Sequence, residues 1–299
     1  VNQIATVFAA FGRACLARDD TQQIWRCHVR GRELQPVCGD RVALSHAPAL
    51  GPDAAVVTAI HTRRNVFARA AQHRRKVIAA NLDQVAILVA CEPSFSDELI
   101  CRMLVVAELA ELPAVLVLNK IDVETRLAQA RTMLEPFVAL GYPVIELAAC
   151  IDARPLHSVL EGKRTLFTGQ SGMGKSTLVQ ALVPEAEVRI REISSFLDSG
   201  KHATTGARMF SVNPHTEIVD TPGVTEFGLA GYNVRNIGYG FREFQAFAGQ
   251  CRFADCRHLN EPGCAMTQAV QTGQIHARRL ALYQRIIEAE RAATSKQSH

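Results

Sequence analysis

Gly169-Gln-Ser-Gly-Met-Gly-Lys-Ser-Thr177 sets glycines, a lysine and hydroxyls in the spacing G-x-x-x-x-G-K-[S/T]. Gly169, Gly172 and Gly174 leave backbone N–H groups open to an anion, and a helix opening at Lys175 adds its own first-turn amides. Lys175 supplies a cation and Ser176 a hydroxyl at the same point, while Gln170, Ser171, Met173 and Thr177 complete the loop. This is the chemistry of a cradle for phosphate oxygens. With a nucleoside triphosphate in it, Lys175 would reach the β- and γ-phosphates and Ser176 would offer its hydroxyl to Mg²⁺.

Two further short motifs narrow the nucleotide. Asp220-Thr-Pro-Gly223 follows the apolar pair Ile218-Val219, 45 residues after Lys175, where a strand-end carboxylate can reach Mg²⁺ through water and the Gly223 amide can face the γ-phosphate. Asn119-Lys-Ile-Asp122 closes the apolar run Ala114–Leu118. The Asp122 carboxylate can accept from both N1–H and the 2-amino group of guanine, a pair of donors that adenine lacks. Asn119, Lys120 and Asp122 would then select GTP or GDP. Either tetrapeptide alone is a common turn; beside the phosphate loop they specify a GTP hydrolase. Val224 follows Gly223 where a Ras-like enzyme carries a water-orienting Gln, so slow intrinsic turnover and help from another group are expected.

A fourth constellation is Cys251-x₄-Cys256-x-His258-x₅-Cys264, which crowds three of the nine cysteines around one imidazole. Three thiolates and an imidazole make a closed tetrahedral set suited to one structural Zn²⁺ per chain, with no open position for catalysis. The other cysteines are scattered singly through core-like segments, as small buried hydrophobes are.

These residues need elements to hold them. In 299 residues the chain has room for two or three domains, and 48% hydrophobic with 21% charged residues is ordinary globular composition. No uninterrupted apolar run reaches membrane-spanning length and no basic-then-apolar leader opens the chain. A cytoplasmic monomer with no membrane partner is expected. Charge is segregated: residues 1–80 carry net +7, residues 81–229 net −7 and residues 230–299 net +4. Basic ends of this kind face a polyanion.

Residues 1–65 read as five short strands over Ile4–Phe11, Ala14–Ala17, Ile24–Val29, Gly39–Leu44 and Ala54–Ile60, an OB-like RNA-binding barrel. Residues 66–80, with Arg69, Arg74, Arg75 and Lys76, read as a basic linker. From residue 81 to 229 strands alternate with helices: Val85–Ala90, a helix from Asp97, Ala114–Leu118, a helix near 124–140, Pro143–Leu147, a short helix after Pro155, Thr165–Thr168 and a helix from Lys175. That texture gives an α/β domain on a parallel sheet, with ligands beyond the carboxyl ends of its strands. Residues 230–299 form a small zinc-binding helical module with little core of its own.

The motif order is unusual. Asn119 precedes Lys175, which precedes Asp220, so the chain is circularly permuted relative to GTPases that begin with the phosphate loop. This order resembles the ribosome small subunit-dependent GTPase A family (RsgA, YjeQ or EngC), as do Gly39-Asp-Arg-Val42, Ala79-Ala-Asn-Leu-Asp-Gln-Val85 and the Cys251–Cys264 cluster. The resemblance covers essentially the whole chain. It implies a circularly permuted P-loop GTPase domain between an OB-like barrel and a zinc module, a partner in the small (30S) ribosomal subunit and its 16S rRNA, and a role in late subunit maturation. It also implies a switch at Gly200-Lys-His-Ala-Thr-Thr205, where Thr204 or Thr205 would ligate Mg²⁺, and where His202 is the nearest polar candidate to position water. The family's third threonine is Ala203 here, and a guanine-loop serine is replaced in Leu147-Ala-Ala149. Two rivals stand beside this reading: a metal-handling GTPase whose Cys/His cluster is a transfer site, and an RNA-binding module with a degenerate nucleotide site.

Overall fold

A computed structural model of the chain describes residues 3–31, 33–71, 74–186, 206–229 and 231–295. The switch residues Gly200, Lys201, His202, Ala203, Thr204 and Thr205 lie outside them. Every side chain of Gln84–Ala90 (β8) and Ala114–Asn119 (β9) is buried, which is why these segments read as continuous β-branched runs rather than alternating ones. They sit in the middle of the order β10-β9-β8-β11-β13-β12, with β10 at Val144–Glu146, β11 at Arg164–Gly169, β12 at Arg208–Asn213 and β13 at Thr216–Asp220. The pairings from β10 to β13 are all parallel, and β12 is added antiparallel at the edge.

Helices α1 (Asp97–Leu109), α2 (Glu124–Val138), α3 (His157–Leu160) and α4 (Lys175–Leu182) make the crossovers. Ser96 caps α1 by accepting from the Leu99 N–H, with Asp97 and Glu98 in the first turn to complement the dipole.

The amino-terminal strands β1 (Gln3–Phe11), β2 (Ala14–Asp19), β3 (Ile24–Val29), β4 (Arg41–His46) and β5 (Ala54–Ile60) run β1-β2-β3-β5-β4, and β4 pairs back onto β1 to close the barrel. Val7, Cys15, Cys27, Val29, Val42, Leu44 and Val57 fill it as a separate core. Cys15 and Cys27 face each other across β2 and β3, buried as apolar residues. A bulge between Val7 and Ala9 bends β1 so that Ala9 also meets Arg208 of β12, continuing the parallel domain's sheet into the barrel.

Residues 66–80 are not a tether. They fold as an antiparallel hairpin of β6 (Val66–Ala71) and β7 (Arg74–Ala80), with Phe67 and Ala79 buried in the central core and the Ala70 N–H donating to the Gly228 carbonyl at 2.9 Å. The run of Arg and Lys masks the buried pairs Phe67-Ala68 and Ala79-Ala80 at the two ends of the hairpin. The joint between barrel and central domain explains two of the segments quoted above. Gly39 has φ +92°, and a Cβ there would stand 2.0 Å from the Ala80 carbonyl oxygen, so only glycine fits. Asn81 donates to the Gly39 carbonyl at 2.9 Å, and fully buried Asp40 takes a two-pronged ion pair from Arg63 at 2.7 and 2.8 Å.

Beyond residue 230, α5 (Val234–Tyr239), α6 (Ala265–Gln271) and α7 (Ala277–Ser295) share the central core instead of building one. Arg279 of α7 is buried, paired with Glu243 at 2.7 Å, with its guanidinium over Phe241 and Phe137 at 4.6 and 5.0 Å. Arg278 of α7 pairs with Asp97 at 2.7 Å. No described helix is long and apolar enough to cross a membrane.

Candidate functional site

The three nucleotide motifs leave the carboxyl ends of adjacent parallel strands. Gly169 ends β11, Asp220 ends β13 beside it, and Asn119 ends β9 two strands away, with β8 between β9 and β11. Gly169–Gly174 turns into α4, with Lys175 as its first helical residue. The Lys175 ammonium is buried and bonds the Asp220 carboxylate, bringing the phosphate-loop cation and the carboxylate of Asp220-Thr-Pro-Gly223 together. Ser176 and Thr177 are exposed at the start of the helix.

Asn119 straps two loops together. Its Nδ2 donates to the Met173 carbonyl and its Oδ1 accepts from the Ala149 N–H, each at 2.9 Å, in a site where Asn119 is 2% exposed. Gly174, with φ +82°, lies so close that a Cβ there would be 2.3 Å from Asn119 Nδ2. Lys120 lies across the phosphate loop, its Nζ donating to the Gly172 carbonyl at 2.9 Å and the Glu92 carbonyl at 2.8 Å. Asp122, two residues on, is exposed and free of these structural duties. In Leu147-Ala-Ala149 it is thus a backbone amide, not a side chain, that meets the Asn-Lys-Ile-Asp loop.

Several members of the site were hidden in sequence. Val224 is buried, and its backbone grips the phosphate loop from the side: its N–H donates to the Gly169 carbonyl at 3.1 Å and its carbonyl accepts from Ser171 N–H at 3.2 Å. The Gln170 side chain accepts from the Ser96 N–H at 3.0 Å, fastening the loop to the start of α1, while Thr221 Oγ1 donates to the Phe167 carbonyl at 2.8 Å. Of these contacts, only the one at Ser96 carries a local signal, the helix start Ser96-Asp97-Glu98. Farther along, Leu229 N–H donates to Glu290 of α7 at 3.1 Å, and Glu290 also binds Arg102 of α1. Arg102 reaches the Phe227 carbonyl at 3.4 Å, so the segment after Gly223 is held directly by the carboxy-terminal helix.

The Cys/His constellation is the other candidate site. The sulfurs of Cys251, Cys256 and Cys264 each stand 3.5 Å from His258 Nδ1, and all four ligand atoms lie within 4.8 Å of one another. A tetrahedral ion with bonds of about 2.3 Å to sulfur and about 2.0 Å to nitrogen requires S···N edges of about 3.5 Å. The donor set therefore fits a metal ion. Without a cation, burial pushes the Cys256 thiol up to about 12, so a thiolate there calls for positive charge among the sulfurs. Ala265 N–H donates to Cys251 Sγ at 3.3 Å, and Gln284 of α7 holds the His258 carbonyl at 2.9 Å.

Residues 60–230 match the family model described as RsgA GTPase. The chain is 44% identical over 286 residues to the "Small ribosomal subunit biogenesis GTPase RsgA" of Burkholderia pseudomallei (strain K96243), covering 94% of this chain and 90% of that one. It is 43% identical over 291 residues to the protein of the same name in Paraburkholderia phytofirmans, covering 94% and 91%. Among solved structures it resembles YjeQ from Thermotoga maritima, with a TM-score of 0.73 and 27% identity over 97% of this chain and 99% of that one. It shares the fold of YloQ, described as a circularly permuted GTPase, with a TM-score of 0.70 and 22% identity over 98% and 96%.

Proposed function

The chain belongs to the RsgA GTPase family, and from that premise we propose that it hydrolyses GTP in the late maturation of the small ribosomal subunit. The observation that carries this reading is the convergence of Lys175, Asp220 and the Asn119–Lys120 strap at one end of the parallel sheet. The amides of Gly169–Thr177 and the first turn of α4 receive the phosphates. Lys175, paired with Asp220 in the protein alone, turns to the β- and γ-phosphate oxygens, which frees the Asp220 carboxylate. Ser176, Asp220 and Thr204 or Thr205 would hold Mg²⁺, which would supply positive charge against the phosphate oxygens. The Gly223 amide faces the γ-phosphate and Asp122 reads guanine. Val224 offers only an aliphatic side chain where water must be oriented, so His202 or a group from the bound subunit completes the hydrolytic site.

In this reading the barrel of residues 1–65 and the module of residues 230–299 hold 16S rRNA, and the nucleotide domain spans 81–229. The Cys₃His cluster of Cys251, Cys256, His258 and Cys264 keeps one structural Zn²⁺ per chain. The protein acts as a monomer in the cytoplasm. A metal-transfer role is less well supported, because all four donors are committed to one another and buttressed by Ala265 and Gln284.

Co-sedimentation with purified small subunits tests the proposal. The full chain should pellet with subunits in a non-hydrolysable GTP analogue and be released in GDP. Equal binding in both nucleotides, or none in either, would refute it.

A further inference from the structure

Over the metal cluster lies a groove of about 790 Å³ whose walls come from α5, the 248–258 loop and the end of α7. Two aromatic side chains stand in it unusually open: Tyr239 is 53% exposed and Phe253 is 42% exposed. Gln245 donates to the Tyr239 backbone carbonyl at 3.2 Å, and the Arg252 guanidinium stands over the Phe253 ring at 5.4 Å. Phe244, Tyr283 and His258 pack ring to ring beneath them. Arg235, Arg257 and Arg291 also line the groove, exposed and without an ion-pair partner among the described residues, against a single lining carboxylate, Asp255.

We propose that this groove is a stacking site for unpaired RNA bases, with Tyr239 and Phe253 as platforms and Arg235, Arg257 and Arg291 on the phosphates. Exposed aromatic faces interleaved with unpaired arginines match the two surfaces of a single strand, its bases and its backbone. A duplex keeps its base faces stacked and offers only phosphates, so it would use the arginines and ignore the rings. Protein interfaces also use aromatics and arginines, but three arginines against one carboxylate favour a polyanion. The inference rests on the ribosomal reading for the source of the RNA and adds where, and in what form, the strand is held.

The test uses the full metal-loaded chain and a hexanucleotide RNA containing 4-thiouridine, crosslinked by light and digested with trypsin. Cleavage at Arg235, Arg242, Arg252 and Arg257 isolates Tyr239 in the peptide 236–242 and Phe253 in the peptide 253–257. Crosslinks are expected on both. Tyr239→Ala should lower the yield on the 253–257 peptide at least about fivefold, since one stacked base is lost, while Tyr239→Phe keeps it. Metal content and melting temperature of each variant report folding. Crosslinks confined to residues 1–80, or a yield unchanged by Tyr239→Ala, would overturn the proposal. So would a variant that loses small-subunit binding while crosslinking free RNA normally, which would mean a protein partner. Each of these outcomes is compatible with subunit-stimulated GTP hydrolysis by the unsubstituted chain, so failure here is distinct from failure of the ribosomal reading.

Discussion

Replacing Asn119 with alanine should loosen the nucleotide site without removing any group that touches nucleotide phosphate. The side chain satisfies the Met173 carbonyl and the Ala149 N–H, both at 2.9 Å, in a place where Met173 is 0% and Ala149 5% exposed. Asn119→Ala leaves both backbone groups unpartnered, and each such group costs about 1 to 3 kcal/mol. Part of that is recovered where water enters the space, so a net loss of about 2 to 4 kcal/mol of stability is expected. Asn119→Asp separates the two bonds: it keeps an acceptor for Ala149 but sets a carboxylate oxygen against the Met173 carbonyl. It should therefore be destabilised too, and more so at high pH, where the carboxylate is charged. Urea unfolding followed by far-UV circular dichroism gives the stability, and titration with a fluorescent GDP analogue gives affinity, which should fall at least about tenfold. If Asn119→Ala lies within about 0.5 kcal/mol of the parent, the strap is not what fixes the two loops.

Three further expectations follow the same geometry. Asp122→Asn should lower GTP affinity by about 1.5 to 3 kcal/mol and raise that for xanthosine triphosphate, whose O2 can accept from the new amide; competition binding with both nucleotides checks it, and an unchanged guanine preference would remove Asp122 as the base reader. Purified under reducing, chelator-free conditions the chain should hold one zinc, and Cys256→Ser should bring metal content toward zero; elemental analysis decides, and a parent stoichiometry near zero would contradict the assignment. Glu290→Ala should cost about 2 kcal/mol, because Arg102 keeps Glu98 but the Leu229 N–H loses its acceptor; a double-mutant cycle with Arg102→Met should show coupling, and strict additivity would mean that α7 does not grip this segment.

The candidate phosphate-loop and metal residues stand out in sequence because their chemistry forces both type and spacing. A phosphate loop needs glycines and a lysine at set intervals, and a closed metal site needs four donors within reach of one point. The parallel strands were readable for a related reason: burial on both faces leaves no room for polar residues in Gln84–Ala90 or Ala114–Asn119 beyond their ends. The hairpin of residues 66–80 reads as a linker because its buried residues are Phe67 and alanines, too weak a pattern beside the arginines. β12 was missed because its place depends on pairing with β13 and Ala9, a relation local sequence does not carry. Val224 shows the limit most sharply. Its side chain signals what the site lacks, whereas its contribution lies in a backbone N–H and carbonyl that any residue possesses. The couplings from Gln170 to Ser96 and from Glu290 to Leu229 are likewise long-range, joining residues 74 and 61 positions apart.

The central claim is that this is a GTP hydrolase whose active site is completed by the small ribosomal subunit. Multiple-turnover GTP hydrolysis by the full chain, measured at low salt with and without purified small subunits, tests it most directly. The account predicts a slow rate for the protein alone, a strong rise with subunits, weakening of that rise as salt displaces phosphate contacts, and its loss in Lys175→Ala. Equal rates with and without subunits at low salt, or stimulation that survives Lys175→Ala, would contradict it.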